Sequence, residues 1–335
     1  MTNAIRIRLP ATLDSLTPAA VEPRQPGPGE VLMRVRASSL NFHDYAVVAG
    51  ILKPVEGRIP MSDGAGDVLA VGEGVTEFKV GDRVLSTFFV NWPDGEAGNI
   101  DFTTVPGDGM DGYATEFATV SAQALTHFPA DYSYEEAATL TCAGVTAWRA
   151  LMTNGRLKAG QTVLVQGSGG VSVFALQLAK LAGATVIATS SSDEKLERLK
   201  ALGADHLINY KKTPDWGTEA FKLSHGGVDH VVEIGGPGTL PQSIEAIRNG
   251  GHIALIGVLT GWEGVVPTAL LMRKQGRLQG LTVGSRRDQL DLIRACEATG
   301  MRPVIDRSFP LMELGDAFRY QLSGAHLGKI CVSIP

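Results

Sequence analysis

The most constraining stretch of the chain is Val163-Leu164-Val165-Gln166-Gly167-Ser168-Gly169-Gly170-Val171-Ser172. A short apolar strand runs into a glycine turn. Val171, Phe174, Ala175 and Leu178 then recur at helical spacing, so the turn opens a helix. Gly167 permits the tight turn, and Gly169 lets backbone N–H groups approach a pyrophosphate. The helix start adds its dipole and free amides to that anion. Ser172 holds the last position of the G-x-G-x-x-G pattern and is small enough for close helix–strand contact. The pattern gains force because a second strand, residues 185–189, follows about 20 residues on. Gly167, Ser168, Gly169, Gly170 and Val171 are therefore predicted to bind a dinucleotide. A ligand-free turn, or a nucleotide-like cosubstrate such as S-adenosylmethionine, are the other readings.

Strand and helix patterns alternate around this motif. Strands are predicted at 162–166, 185–189, 206–210, 228–234 and 252–257, with helices at 193–202 and 239–248. Such βαβ alternation implies an α/β fold with a doubly wound parallel sheet. Ser191 with Glu194 reads as a capping box opening the second helix. Before this region the texture differs. Residues 31–37 alternate with a period of two, further short strands are predicted at 66–71 and 112–120, and residues 80–84 read as short strands joined by a tight Gly81-Asp82 turn. That pattern suits a β-barrel or sandwich. Residues 91–111 form a Gly/Asp/Pro-rich loop, and loops of that length are often functional.

The 335 residues predict two domains, with the chain divided into 1–125, 126–262 and 263–335. A formal net charge of −5 leaves no electrostatic footprint for nucleic acid or an anionic membrane. No run approaches the ~20 apolar residues of a membrane span. Residues 1–10 carry Arg6 and Arg8 and no signal-like apolar stretch. Cys142, Cys296 and Cys331 are far apart and odd in number, which predicts free thiols in a reducing, cytoplasmic compartment.

The end of the second strand bears on the choice of nucleotide. NAD sites usually place an acid there for the ribose 2′-OH. Here the chain reads Thr189-Ser190-Ser191-Ser192, and the first acid, Asp193, comes later. Hydroxyls and a nearby cation accept a 2′-phosphate that a carboxylate would repel. Ser190, Ser191 and Lys195 therefore predict NADPH as cofactor. Gly235, Gly236, Gly257 and Val258 end later strands, where backbone contacts to the cofactor are expected in an open α/β sheet.

Several segments together resemble the medium-chain dehydrogenase/reductase superfamily: the glycine loop with Ala175-Leu176-Gln177-Leu178-Ala179-Lys180, Lys79-Val80-Gly81-Asp82-Arg83-Val84, Asp63-Gly64-Ala65-Gly66 and Leu202-Gly203-Ala204-Asp205. The similarity spans nearly the whole chain and is closest to the zinc-free, quinone-oxidoreductase-like branch. It implies a GroES-like β-barrel domain built from both chain ends, with the Rossmann domain inserted, and a homodimer whose nucleotide domains pair through residues 277–284. It also implies that Lys195 and Tyr210 flank the 2′-phosphate, with Ser190 at the position where NAD enzymes carry the acid. Thr146 and Val283 would border the nicotinamide, and Lys329 would add a phosphate contact.

Zinc members of the superfamily hold their metal with a Cys, a His beside a Glu, and a second Cys. The matching positions here are Asn41, Ser62 followed by Asp63, and Cys142. One thiol, an amide and a hydroxyl do not make the three-ligand set a catalytic zinc needs, and the loop before Gly112 lacks the four cysteines of the structural zinc. A zinc-free protein is predicted. The segment Asn41-Phe42-His43-Asp44-Tyr45 matches the superfamily's active-site entry. Asn41 and Tyr45 are candidate donors to a substrate oxygen, and His43 a candidate proton shuttle. Asp44 is either part of that set or a backbone anchor. Phe88, Phe89, Trp92 and Trp262 hint at an apolar small-molecule substrate, or are packing residues. The leading expectation is an NADPH-dependent reductase of quinones, enones or other carbonyl compounds. The alternatives are a zinc-free alcohol dehydrogenase and an NADPH-binding protein with little turnover.

Overall fold

In the computed structural model, which describes residues 4–335, the chain divides into two compact units: Met1–Val145 with Gly284–Pro335, and Thr146–Val283. Residues 1–3 of the N-terminal segment considered above lie outside the described residues. In chain order the elements are β1 (Ala4–Ile7), β2 (Leu16–Ala19), β3 (Glu30–Ser39), α1 (Phe42–Val48), β4 (Ala65–Val71), β5 (Arg83–Ser86), β6 (Phe117–Ser121), β7 (Leu125–Thr126) and α2 (Tyr134–Ala138). Next come α3 (Val145–Trp148), β8 (Thr162–Gln166), α4 (Gly170–Leu181), β9 (Thr185–Ser190), α5 (Asp193–Ala201), β10 (His206–Asn209), α6 (Trp216–Leu223), β11 (Val228–Glu233), α7 (Leu240–Ala246), β12 (Ile247–Leu255), α8 (Thr268–Arg273) and β13 (Arg277–Gly280). The chain closes with α9 (Arg286–Thr299), β14 (Ile305–Pro310), α10 (Leu314–Leu322) and β15 (Lys329–Ser333). Two π-helical stretches, Leu140–Gly144 and Arg149–Asn154, flank α3.

The second unit holds a six-stranded sheet in the order β10-β9-β8-β11-β12-β13. Every pairing in it is parallel. Counted from β8, the strand order is the 3-2-1-4-5-6 of the dinucleotide-binding fold, whose ligand crevice opens where the order reverses, between β8 and β11. The central strands β8 and β9 are mainly apolar and buried, as expected of a sheet that helices cover on both faces. Leu164, Ile187, Val231 and Ile253 pack with Trp216, Ala220, Leu240 and Ile244 of α6 and α7 in one buried cluster.

The first unit is built on a seven-stranded sheet in the order β14-β15-β3-β4-β5-β7, with β6 also paired to β3. The alternation read in residues 31–37 is the inward face of β3: Val31, Met33, Val35 and Ala37 are fully buried. Val31, Met33 and Val35 share a core with Val68, Val84, Tyr113, Phe318, Ile330 and Val332, so the chain's last strand and helix complete the unit that its first strands begin.

Two boundaries differ from the sequence reading. Residues 126–145 belong with the first unit, because β7 pairs with β5 and α2 packs on β3 and β4. Residues 263–283 belong with the second, because β13 extends its sheet beside β12. The turn expected at Gly81-Asp82 is present: Gly81 has φ +90°, Val80 is exposed and β5 starts at Arg83. No helix among the described residues is long and apolar enough to cross a membrane.

Candidate nucleotide and redox sites

In the second unit the glycine loop takes the form the sequence requires. Gly167 sits at φ +70°, a left-handed conformation that favours glycine, and its N–H donates to Thr189 O at 2.7 Å. Gly169 is the N-cap of α4, and no side chain caps the helix. A Cβ added at Gly169 would meet open space. The first amides of a 12-residue helix therefore face an uncrowded cradle suited to a pyrophosphate. Ser172 is buried and donates to Gln166 O at 2.6 Å, which closes the helix start against β8.

At the neighbouring strand ends the structure brings together Ser190, Ser191, Lys195 and Tyr210. Asn209 lies opposite Ser190 in the β9–β10 register, and Tyr210 N donates to Ser190 O at 3.1 Å. The cap of α5 is Ser192, one residue later than the sequence suggested: its Oγ accepts from Lys195 N at 3.3 Å. Asp193, the first acid after β9, accepts from Asn209 Nδ2 at 2.6 Å and from the Lys212 ammonium. These partners lower its pKa, Lys212 more than Asn209. The sequence reading missed Lys212, which lies 19 residues from the acid it engages.

The turn after β11 is organised by Glu233, which is fully buried. Its Oε1 accepts from Gly235 N (2.8 Å), Gly236 N (2.9 Å) and Thr239 Oγ1 (2.6 Å). Its Oε2 accepts from Gln166 Nε2 at 2.7 Å and from Ser243 Oγ. Gly235 O accepts from Thr260 N and Oγ1, both at 2.8 Å. Gly235 thus has both backbone groups engaged within the protein, which differs from the expected cofactor contact. Gly257 packs so tightly that a Cβ would lie 1.9 Å from Ile234 O, and Val258 O accepts from Gly261 N at 3.0 Å. The signal for Glu233 was present: an acid ends an apolar strand just before a Gly-Gly turn. Thr146 is buried. Val283 takes φ +46°, a strained conformation for a β-branched residue, and its carbonyl accepts from the buried Arg149 guanidinium at 3.3 Å.

The first unit gathers a second polar set at the start of α1. Asp44 is buried and caps that helix, accepting from Asn41 N (2.9 Å) and Ser62 N (2.8 Å), so it anchors backbone. Asn41 donates from Nδ2 to Asp63 Oδ2 at 2.9 Å and Asp44 Oδ2 at 3.1 Å. Its Oδ1 accepts from Lys329 Nζ at 2.6 Å. The Asn41 amide is therefore committed to its neighbours rather than presented to a substrate oxygen. Lys329 is 3% exposed; its ammonium also donates to Leu40 O at 2.6 Å and lies 3.9 Å from Asp63 Oδ2. That placement differs from the expected phosphate contact, because burial turns the ammonium into the polar cluster. Burial pushes the Asp63 carboxyl up to about 6 against the opposing pull of Lys329.

His43 projects from the same helix. Its Nε2 lies 3.2 Å from Asp108 Oδ2, and its Nδ1 lies 3.9 Å from Asp44 Oδ1. Burial alone would lower its pKa, but the hydrogen bonds and charges of Asp108 and Asp44 raise it to about 9. Asp108 was not singled out in the sequence. It sits in the predicted 91–111 loop, which is pinned near this point. Gly107 there has φ +84°, and an added Cβ would meet Met61 backbone at 2.7 Å. Arg58 Nη2 donates to Gly109 O at 2.9 Å. Tyr45 is half-buried, with its ring 5.7 Å from that of Phe42. Phe88, Phe89 and Trp92 are buried in edge-on contact with one another, so they are packing residues; Trp262 is exposed. Among the described residues no group of three or more His, Cys, Asp and Glu side chains is arranged to hold a metal.

Comparison with known proteins matches residues 27–130 to the family described as alcohol dehydrogenase GroES-like domain, and residues 170–298 to the family described as zinc-binding dehydrogenase. A zinc-type alcohol dehydrogenase-like protein of Schizosaccharomyces pombe is 43% identical over 333 residues, covering 96% of both chains. A solved structure of an NAD-dependent alcohol dehydrogenase superposes with a TM-score of 0.91 at 32% identity, over 99% of this chain and all of that one. A crotonyl-CoA carboxylase/reductase solved with NADP gives a TM-score of 0.88 at 25% identity, over 99% of this chain and 95% of that one.

Proposed function

Because the chain belongs to the medium-chain dehydrogenase/reductase superfamily, we propose that it is an NADPH-dependent, zinc-independent oxidoreductase reducing a quinone, enone or other carbonyl compound. The observation that carries the reading is the Lys329 ammonium on Asn41 Oδ1. Oδ1 is the amide's metal-binding atom, and its engagement by the lysine supports a reaction run without the zinc implied by the superfamily. A conjugated acceptor takes hydride without a strong Lewis acid, since its charge delocalises over the product.

Gly167, Ser168, Gly169, Gly170 and Val171 would hold the dinucleotide's pyrophosphate, and Ser190, Ser191, Lys195 and Tyr210 its 2′-phosphate. Bound there, the cofactor supplies hydride. His43, kept charged between two carboxylates, supplies the proton that completes the product. Asp108→Asn removes one of the groups that raise the His43 pKa. The high-pH limb of the reduction rate, expected near pH 9 in the parent, then moves down by about one unit, the worth of a charge-assisted hydrogen bond of ~1.5 kcal/mol. An unmoved limb would remove His43 from the mechanism.

The alcohol dehydrogenase names of the relatives support a second reading, oxidation of simple alcohols. The neighbours differ in cofactor, one being NAD-dependent by name and one solved with NADP. The deciding assay follows NADPH oxidation with quinones, enones and aldehydes, repeated with NADH and with a chelator. Turnover of a conjugated acceptor, unchanged by chelator, supports the proposal. Activity with alcohols and NAD⁺ that a chelator abolishes refutes it. A homodimer joined through β13, which ends the six-stranded sheet, and a cytoplasmic location with free cysteines complete the proposal.

A further inference from the structure

We propose that Lys329 is a built-in cation of the first unit: its ammonium holds the Asn41 amide and offsets the buried Asp63 carboxylate, taking the place a divalent metal ion would need. Both acids are essentially without solvent contact, Asp63 at 0% and Asp44 at 1% exposure. The hydrogen-bond donors to Asp63 are neutral, whereas Asp44 also lies 3.9 Å from His43 Nδ1. Asp63 accepts from Ser39 Oγ at 2.6 Å and from the Asn41 amide, and Asp44 accepts from the backbone N–H groups of Asn41 and Ser62. Hydrogen bonds alone do not offset the burial of the Asp63 carboxylate; a cation is required. The ammonium 3.9 Å from Asp63 Oδ2 provides it.

Strand pairing fixes its delivery. Lys329 opens β15, whose Cys331 lies opposite Ser39 of β3, and Leu40 N donates to Ile330 O at 2.9 Å. The side chain therefore reaches the cluster from a backbone held two residues away from the groups it serves. A metal ion entering the same space would meet a fixed positive charge at short range and would find Asn41 Oδ1 already taken. One lysine thus supplies charge balance and excludes the metal.

The inference rests on the zinc-independent reading above, and its test reads stability rather than turnover. Urea unfolding is followed for the parent, Lys329→Met, Asp63→Asn and the double variant, with the metal content of the purified parent measured alongside. Removing the lysine leaves Asp63 buried and unpaired, so Lys329→Met is expected to shift the urea midpoint down by about 1–2 M. Should that variant fail to fold, the double variant still decides, because neutralising Asp63 is expected to restore more than half of the lost midpoint or the lost soluble protein. A double variant no better than Lys329→Met overturns the inference even if the parent proves metal-free. Stoichiometric zinc in the parent instead sinks the reading on which it rests.

Discussion

Lowering the pH from 7 to 4.5 is expected to destabilise the second unit by several kcal/mol, and replacing His230 and His252 with asparagine to remove most of that loss. The two histidines are opposite one another on β11 and β12, are 4% and 3% exposed, and have ring centroids 5.8 Å apart. His230 Nε2 donates to Gln161 Oε1 at 3.0 Å. Burial, then the positive charges of Arg277 and Arg248 against the pull of Asp229, lowers the His230 pKa to about 4. Burial, then Arg277 and His230 itself, does the same for His252. An unfolded histidine titrates near 6.5. Between about 4 and 6.5 the unfolded state binds more protons, so stability falls as pH falls through that window. A shift of that size is worth up to about 3 kcal/mol per ring.

Asp63 acts in the opposite sense in the first unit. Its carboxyl, raised to about 6, takes up a proton more readily folded than unfolded between about 4 and 6, which favours folding as pH falls. Acid unfolding is therefore expected to begin in the second unit. Hydrogen exchange at pH 7 and 4.5, compared between the parent and the doubly substituted protein, checks this. Equal acid loss in both proteins would mean that the histidine pair does not govern it.

These buried histidines show what sequence reading does and does not reach. The parallel sheet was legible because its strands are apolar runs bounded by glycine, and Thr162–Gln166 is a strand over the range expected. The hairpin β1–β2, two strands of four residues each, was not, nor was β15, whose partner β3 is remote in sequence. Site residues divide in the same way. Gly167 and Gly169 carry backbone roles that their identity declares. Asn41 and Lys329 are 288 residues apart, and no local pattern says that one amide and one ammonium will satisfy each other. Lys329 read alone suggests an anion ligand; only its burial against Asp63 reveals a counter-ion. Asp108 gave no sign of its role because a loop without period places it, and what fixes that loop is the fit of Gly107 against the Met61 backbone.

The choice of nucleotide rests on charge at the end of β9, and there a single substitution is expected to have a large effect. Ser190 occupies the position where a carboxylate would accept from a ribose 2′-OH, and it is buried with its Oγ accepting from Ser192 N at 3.3 Å. Asp193 would be the natural substitute, but Asn209 and Lys212 hold its carboxylate. Lys195 lies in the first turn of α5, where the helix dipole adds to its attraction for an anion. A charge-assisted hydrogen bond to phosphate is worth about 1.5–3 kcal/mol, so Lys195→Ala is expected to raise the KM for NADPH about tenfold to a hundredfold. The KM for NADH, which lacks the 2′-phosphate, should stay within about twofold, since no other charge at this strand end changes. Ser190→Asp should act in the same direction and add preference for NADH, because its carboxylate repels the phosphate and accepts from the free 2′-OH. Steady-state kinetics with both nucleotides decides the matter: equal losses for NADPH and NADH in Lys195→Ala would make the lysine a structural residue of α5 and return the nucleotide preference to an open choice.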